Sequence, residues 1–441
     1  MDSGRWRAPA AHGPVRATLR LPGSKSITNR ALILAALSDS PSVVRGLLKA
    51  RDTALAIGAL RALGGAVTEH GADVSVHPGS PAPGAAVSVD VGNAGTVMRF
   101  LPAVAALTPA AVAFDGDPRA RERPVGALLS ALRTLGVSID DGGRGALPFT
   151  VHGSGSVPGG PVTLDASGSS QLVSGLLLAA PRFAAGVEVR HDGPPVPSLP
   201  HIEMTVRMLR DAGATVEVGT GEAGPGERPD RWVVRPGRLH LGDFTVEPDL
   251  SNAGPFLAAA LVTGGSVTIR DWPLASLQAA DAILDVITQL GGSVARGDSG
   301  LTVTGSGVIN GITADLRDIP ELCLPLTSVA ALASGPSTFT GVGHTRAQET
   351  DRLAAIAKEI NALGGDVTEL PDGLRVRPRP LSAPTGHAFS SYDDHRMVMA
   401  AAVLGLAVPG IEVLNVATVG KTFPDFTTLW ASLLSDRGDA S

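Results

Sequence analysis

Apolar runs, each opened by a short polar turn, recur along this chain and divide it into similar pieces. Val15 to Leu21 has the composition of a strand and stops at Pro22 and Gly23. Small hydroxyl and amide residues then lead into SKSITNRALILAALS from Ser24, the pattern of a capped helix whose orphan N–H groups those side chains satisfy. The same arrangement returns as NAGTVMRFLPAVAAL at Asn93, SGSSQLVSGLLLAAP at Ser167 and LSNAGPFLAAALVTG at Leu250. It returns again as ELCLPLTSVAALASG at Glu321 and DDHRMVMAAAVLGLA at Asp393. These are six copies at a spacing of roughly 70–80 residues. Between them lies a second echo: LRALGGAV from Leu60, LRTLGVSI from Leu132, LRDAGATV from Leu209, ITQLGGSV from Ile287 and INALGGDV from Ile360. Each reads as a helix tail, a glycine cap and the start of a β-branched strand. A sixth echo would fall near Leu429 to Leu434, with no strand after it.

Each repeat therefore predicts strands, an apolar helix, an amphipathic helix and further strands. Leu353, Ile356, Ile360 and Leu363 keep the spacing of one buried helical face. The repeat-opening helices are apolar almost all round, which predicts that they are buried. If they lie parallel, their positive ends gather at one surface. Three repeats per domain follow from the count, with a change of domain expected near Leu239 to Gly242. The Gly/Pro-rich stretch Gly219 to Asp230 reads as a flexible insertion in the third repeat. The first residues, MDSGRWRAPAAHGP, lack an apolar signal core and read as a loose arm.

Composition narrows the partners. At 441 residues the chain is long enough for two or three domains, and 3% aromatic content requires a core of Ala, Val, Leu and Ile. A net charge of −6 without a basic run argues against nucleic acid. No apolar run of spanning length predicts a membrane segment, and the single Cys323 excludes an internal disulfide or a multi-cysteine metal cage. These features predict a cytoplasmic protein.

In that acidic chain, cations collect at Gly-rich turns: Lys25 and Arg30; Arg99; Arg119, Arg121 and Arg123; Arg352; Arg396; Lys421. A cation at a helix start works against the dipole by roughly 0.3–1 kcal/mol, so the arrangement points to a bound anion, phosphate or carboxylate. GSKS at Gly23 is no nucleotide P-loop, because Thr18 stands where the upstream glycine belongs. Cys323, inside an apolar helix, reads as buried and inert. Asp393, Asp394 and Glu349 are each as well explained by helix capping as by catalysis.

LPGSKSITNR, GNAGTVMR, RERPVGAL, SGSSQLVSGLL, ETDRL, DDHRMVMA and KTFPDF, in this order, resemble the motif series of the 5-enolpyruvylshikimate-3-phosphate (EPSP) synthase family from about Val15 to about Trp430. The resemblance implies an α/β fold, a two-domain inside-out α/β barrel. Each domain holds three βαβαββ repeats around buried parallel helices, with a cleft that closes on substrate. Residues 1–20 with 241–441 would form one domain and residues 21–240 an inserted one. It also implies transfer of the enolpyruvyl group of phosphoenolpyruvate to the 5-hydroxyl of shikimate 3-phosphate, through a tetrahedral intermediate, in aromatic amino acid biosynthesis. Lys25, Ser26, Arg30, Ser169, Ser170, Gln171, Ser198, Glu321 and Gln348 match positions that hold shikimate 3-phosphate. Lys25, Gly95, Arg123, Gln171, Arg352, Arg396 and Lys421 match those that hold phosphoenolpyruvate. Lys25, Glu321 and Glu349 are the implied catalytic residues, Glu321 on the hydroxyl side. No metal or organic cofactor is implied; the partners are the two small substrates, with no nucleic acid or membrane, and a monomer is expected.

Three positions depart from the family pattern. Gln348 stands where a Lys is common, His344 where Asn is common, and Glu321 replaces the more frequent Asp. Arg346 is a candidate substitute for the missing Lys charge. The small Gly95 leaves room for phosphoenolpyruvate, which predicts sensitivity to glyphosate as a competing anion. The nearest alternative is the enolpyruvyl transferase acting on UDP-N-acetylglucosamine, whose reactive Cys is absent from the loop Gly116 to Pro124.

Overall fold

The computed structural model describes residues 4–220 and 228–435. The chain divides into two compact units, Gly23–Val246 and the combination of Met1–Pro22 with Glu247–Ser441. The Gly219–Asp230 insertion lies mostly outside the described residues; the strands Val216–Gly219 and Arg231–Val234 that flank it pair antiparallel.

In the Gly23–Val246 unit three helices, Lys25–Leu37, Gly95–Ala105 and Gln171–Ala179, form the centre. All eleven residues of Gly95–Ala105 are buried, as an all-round apolar surface requires. The second and third helices each connect two parallel strands, and the first leads into a strand whose parallel partner comes from the end of the unit. Ala86–Asp90 pairs with Ala111–Asp115, Gly160–Leu164 with Val187–His191, and Asp243–Thr245 with Ser42–Arg45. An amphipathic helix follows in each repeat (Arg51–Ala62, Gly126–Thr134, Leu199–Asp211), and an antiparallel strand pair completes a four-stranded sheet.

The other unit repeats the plan around Leu250–Thr263, Cys323–Ala331 and His395–Ala407. Its parallel pairs are Arg16–Leu19 with Ser266–Ile269, Thr313–Asp315 with Ser337–Thr340, and Phe389–Ser390 with Glu412–Leu414. The two passages of the chain between units fall after Pro22 and after Val246. The second lies beyond Leu239 to Gly242 because Asp243–Thr245 still belongs to the inserted unit's first sheet.

The N-terminal segment is not a loose arm. Arg5–Arg7 forms a strand antiparallel to Glu412–Leu414 and supplies the third strand of the last sheet. The Trp6 ring meets Phe426 edge-on at 6.4 Å, and the Ala8 N–H donates to the Ile411 carbonyl at 2.9 Å. Hydrophobic periodicity could not show this pairing, because the partners lie at opposite ends of the chain.

Within each unit the central helices run parallel, as bonds between matching turns show. Asn29 Nδ2 donates to Thr96 Oγ1 at 2.6 Å, and Arg99 Nη1 to Gln171 Oε1 at 3.0 Å, all in first or second turns. In the other unit Arg396 donates to Ser251, and Ser328 Oγ to the Ala400 carbonyl at 3.0 Å. Four of the few aromatic residues form one cluster. Phe256, Phe423, Phe426 and Trp430 pack with ring centroids 5.4–6.1 Å apart, fixing the 3-10 segment Val416–Lys421 and the helix Phe426–Ser435 against Leu250–Thr263.

Candidate active site

In the Gly23–Val246 unit most candidate residues lie at the starts of the three central helices, while Arg123 follows the short helix Pro118–Glu122 and Ser198 precedes the helix Leu199–Asp211. Ser24 caps the first by accepting from the Ile27 N–H at 3.4 Å, which leaves Lys25 and Ser26 in the opening turn. Lys25 Nζ is 3.4 Å from Oδ2 of the buried Asp52. Arg30 is fully buried. Its guanidinium donates to Thr205 Oγ1 at 2.7 Å, Ser174 Oγ at 3.2 Å and the carbonyls of Ser26 and His201 at 2.9 and 3.0 Å, and it lies 5.0 Å above the Phe100 ring. Burial pushes it down to about 9, and these acceptors and the ring face supply the compensation a buried cation needs. Arg30 therefore joins the first, third and Leu199–Asp211 helices.

Gly95, Arg123 and Gln171 are brought together. A β-carbon at Gly95 would lie 2.7 Å from Arg123 Nη2, 2.8 Å from Arg99 Nη1 and 3.1 Å from Gln171 Oε1. Arg123 is buried and donates to the Asn93 carbonyl at 2.9 Å and to Asn93 Oδ1 at 3.0 Å. Its neighbours in the same loop are engaged elsewhere: Arg121 with Asp115 at 2.7 Å, and Arg119 with Glu122. Ser169 Oγ accepts from the Gln171 N–H at 3.2 Å, and Ser170 is buried beside it in sequence. Ser198 precedes the helix Leu199–Asp211 at φ 52°, a left-handed conformation that costs a non-glycine residue about 1–3 kcal/mol.

In the other unit a second cationic cluster is built from distant segments. Glu349 accepts from Arg352 Nη2 at 2.9 Å and from Lys421 Nζ, and all three side chains are buried. Asp394, fully buried at the cap of His395–Ala407, accepts from Arg352 Nε at 2.7 Å and from the Arg396 N–H at 2.8 Å. Arg396 Nη2 donates to Ser251 Oγ at 2.7 Å. Burial works against the Arg352 charge, but Asp394 and Glu349 hold it above the ordinary arginine range. Burial pulls Arg396 the other way, with Asp249 opposing. Glu321, in the short turn Pro320–Leu322, adds a field that acts on both arginines and on His344.

The Gln348 N–H donates to the Thr345 carbonyl at 3.3 Å. Arg346, the candidate substitute cation, is held by acids of its own surroundings. It donates to Asp351 at 2.9 Å and to Glu369 at 2.7 Å.

The EPSP synthase (3-phosphoshikimate 1-carboxyvinyltransferase) family model matches residues 9–430. The chain belongs to this family. A 3-phosphoshikimate 1-carboxyvinyltransferase from Kocuria rhizophila is 50% identical over 445 residues, covering 98% of this chain and 97% of that protein. Two structures of EPSP synthase from Acinetobacter baumannii, 24% and 23% identical, superpose with a TM-score of 0.78 over 97% of this chain and 98% of theirs. At that identity they speak for the fold alone, the two-domain α/β architecture of EPSP synthases.

Sequence reasoning named Glu321 and Glu349 and left Asp394 open between cap and catalysis, but missed Asp52 and Ser251. Asp52, Asp394 and Ser251 hold Lys25, Arg352 and Arg396, yet in sequence they read as helix caps or first-turn residues. Their one signal is an acid or hydroxyl at a helix start that the structure finds buried, where a simple cap would be solvated.

Proposed function

We propose that this member of the EPSP synthase family transfers the enolpyruvyl group of phosphoenolpyruvate to the 5-hydroxyl of shikimate 3-phosphate with the residues described above. The carrying observation is the set of buried cations Arg352, Arg396 and Lys421 around the buried carboxylates Glu349 and Asp394, in a chain of net charge −6. Such cations match the carboxylate and phosphate of phosphoenolpyruvate. Arg123, beside Gly95 and Gln171, adds a further cation for the same substrate. Lys25, Ser26, Ser169, Ser170, Gln171 and Ser198, with Glu321 and Gln348, serve shikimate 3-phosphate. Arg30 acts mainly by holding the first helix in place.

The chemistry follows from the charges. Glu321 takes the hydroxyl proton as oxygen attacks C2 of phosphoenolpyruvate, and Lys25 is the further catalytic group, a cation for the developing charge. The incoming anion competes with Glu349 for Arg352 and Lys421; as they turn to the substrate, the Glu349 carboxylate gains proton affinity, takes up a proton from water and delivers it to C3. The resulting tetrahedral intermediate returns a methyl proton to the Glu349 carboxylate as it expels phosphate, leaving the enol ether. As part of the same reading, the enzyme works in the cytoplasm as a monomer, and glyphosate competes with phosphoenolpyruvate. Among the described residues no helix is long and apolar enough to cross a membrane.

Phosphate release from phosphoenolpyruvate tests the reading. It is expected with shikimate 3-phosphate and not with UDP-N-acetylglucosamine, and it should be lost in Lys25→Ala and Arg123→Ala. Release with the sugar nucleotide alone would overturn the acceptor assignment.

A further inference from the structure

The most unusual buried group outside the cationic cluster is Glu359, 3% exposed, on the helix Arg352–Ala362. It stands seven residues, two helical turns, after Arg352 and so on the same face. Its Oε1 accepts from the hydroxyl of Tyr392, the chain's single tyrosine, at 2.6 Å, and its Oε2 lies 3.5 Å from His387 Nε2. Lys358 Nζ lies 5.7 Å from the Tyr392 ring centroid. Tyr392 and the next residue, Asp393, are both left-handed, at φ 51° and 56°. Two consecutive strained residues persist only where their surroundings hold them, and strain of this kind concentrates at functional sites. The residue they deliver is Asp394, which anchors Arg352 through two guanidinium nitrogens at 2.7 and 3.3 Å.

The loop and the helix are thus joined twice, at the helix start by Asp394–Arg352 and two turns later by Tyr392–Glu359. Asn415 and Thr418 hold Asp393 from the opposite side, through its carboxylate and its carbonyl. We propose that Tyr392 and Glu359 are positioning residues for phosphoenolpyruvate binding: their hydrogen bond locks the strained turn that sets Asp394 and thereby aims Arg352. The inference rests on the assignment of Arg352 to phosphoenolpyruvate. Neither residue reaches the substrate; they act through Asp394.

The test is the kinetics of full-length Tyr392→Phe and Glu359→Gln, with thermal unfolding followed in parallel. The Phe variant removes only the hydroxyl, and should raise the KM for phosphoenolpyruvate about tenfold, the size of one lost bond to a charged acceptor, while the KM for shikimate 3-phosphate stays within about twofold. Glu359→Gln keeps an acceptor and should retain more affinity than Glu359→Ala. The single tyrosine supplies a readout independent of turnover. Burial, then the bond to Glu359, raises the phenol above its ordinary value, so phenolate absorbance should appear at higher pH in the native protein than in Glu359→Gln. An unchanged KM for phosphoenolpyruvate in Tyr392→Phe, or a parallel rise in both KM values, overturns the proposal. A wild-type enzyme with no turnover but a displaced phenol titration would instead strike at the reaction assignment and leave the brace standing.

Discussion

At Gly95 the absence of a single carbon atom sets the spacing of three functional side chains. A methyl group there would press on the tips of Arg123, Arg99 and Gln171, which are flexible enough to move without unfolding the helix. Gly95→Ala should therefore keep its melting temperature while kcat/KM for phosphoenolpyruvate falls about 10- to 100-fold, the cost of small misplacements at a reacting centre. Weaker inhibition by glyphosate should accompany it, and an unaltered kcat/KM would remove Gly95 from the site. Glu349→Gln should separate binding from chemistry. Without the carboxylate, Arg352 and Lys421 lose a competitor for the substrate anion, so the KM for phosphoenolpyruvate should hold or fall while kcat drops about 100-fold or more. If the two parameters change together, Glu349 is a binding residue only. Cys323 is inert for the reason its sequence context suggested: burial pushes the thiol up to about 12. Iodoacetamide at mildly alkaline pH should leave the native protein unlabelled and active, and should label it once denaturant opens the core.

The central helices were legible at the scale of the element because their signal is local. A polar turn followed by an unbroken apolar run can only be a buried capped helix, and each of the six begins within four residues of the expected start. The Arg5–Arg7 strand was not legible, since RWR is too short an alternation to signal a strand and its partner lies some 400 residues away. The same limit hid the partners of the site's acids: nothing local in DDHR says that Asp394 will meet Arg352 rather than solvent. The N-terminal strand now makes its own prediction. Removing residues 1–8 deletes one edge of the last sheet and exposes Phe426 where Trp6 covered it. That sheet flanks His395–Ala407, so the truncated enzyme should melt several degrees lower, at about 2–4 °C per kcal/mol lost for a domain of this size. A melting temperature equal to that of the full chain would return the segment to the status of a loose arm.

For the molecule as a whole, the strands next to the passages between units are the informative ones. Arg16–Leu19, just before the chain leaves the first unit, pairs there with Ser266–Ile269, from just after the chain returns. Asp243–Thr245, at the end of the inserted unit, pairs with Val43–Arg45 near its beginning. Each unit thus closes its own first sheet with its own chain, and the ends of the inserted unit are neighbours: a β-carbon on Gly23 would lie 3.0 Å from the Val246 side chain. A segment with three complete sheets, its own buried helices and adjoining ends has what an autonomous domain needs. Residues 23–246 expressed alone should give a monodisperse protein with one cooperative thermal transition. They should release no phosphate from phosphoenolpyruvate, because Glu321, Glu349, Arg352, Arg396 and Lys421 all belong to the other unit. Shortening the same piece to residues 23–240 should abolish the transition, since it removes the parallel partner of Ser42–Arg45 and leaves the first sheet open at that edge. If both pieces fold equally well, the closing strand contributes little, and the position of the second passage reflects chain geometry rather than stability.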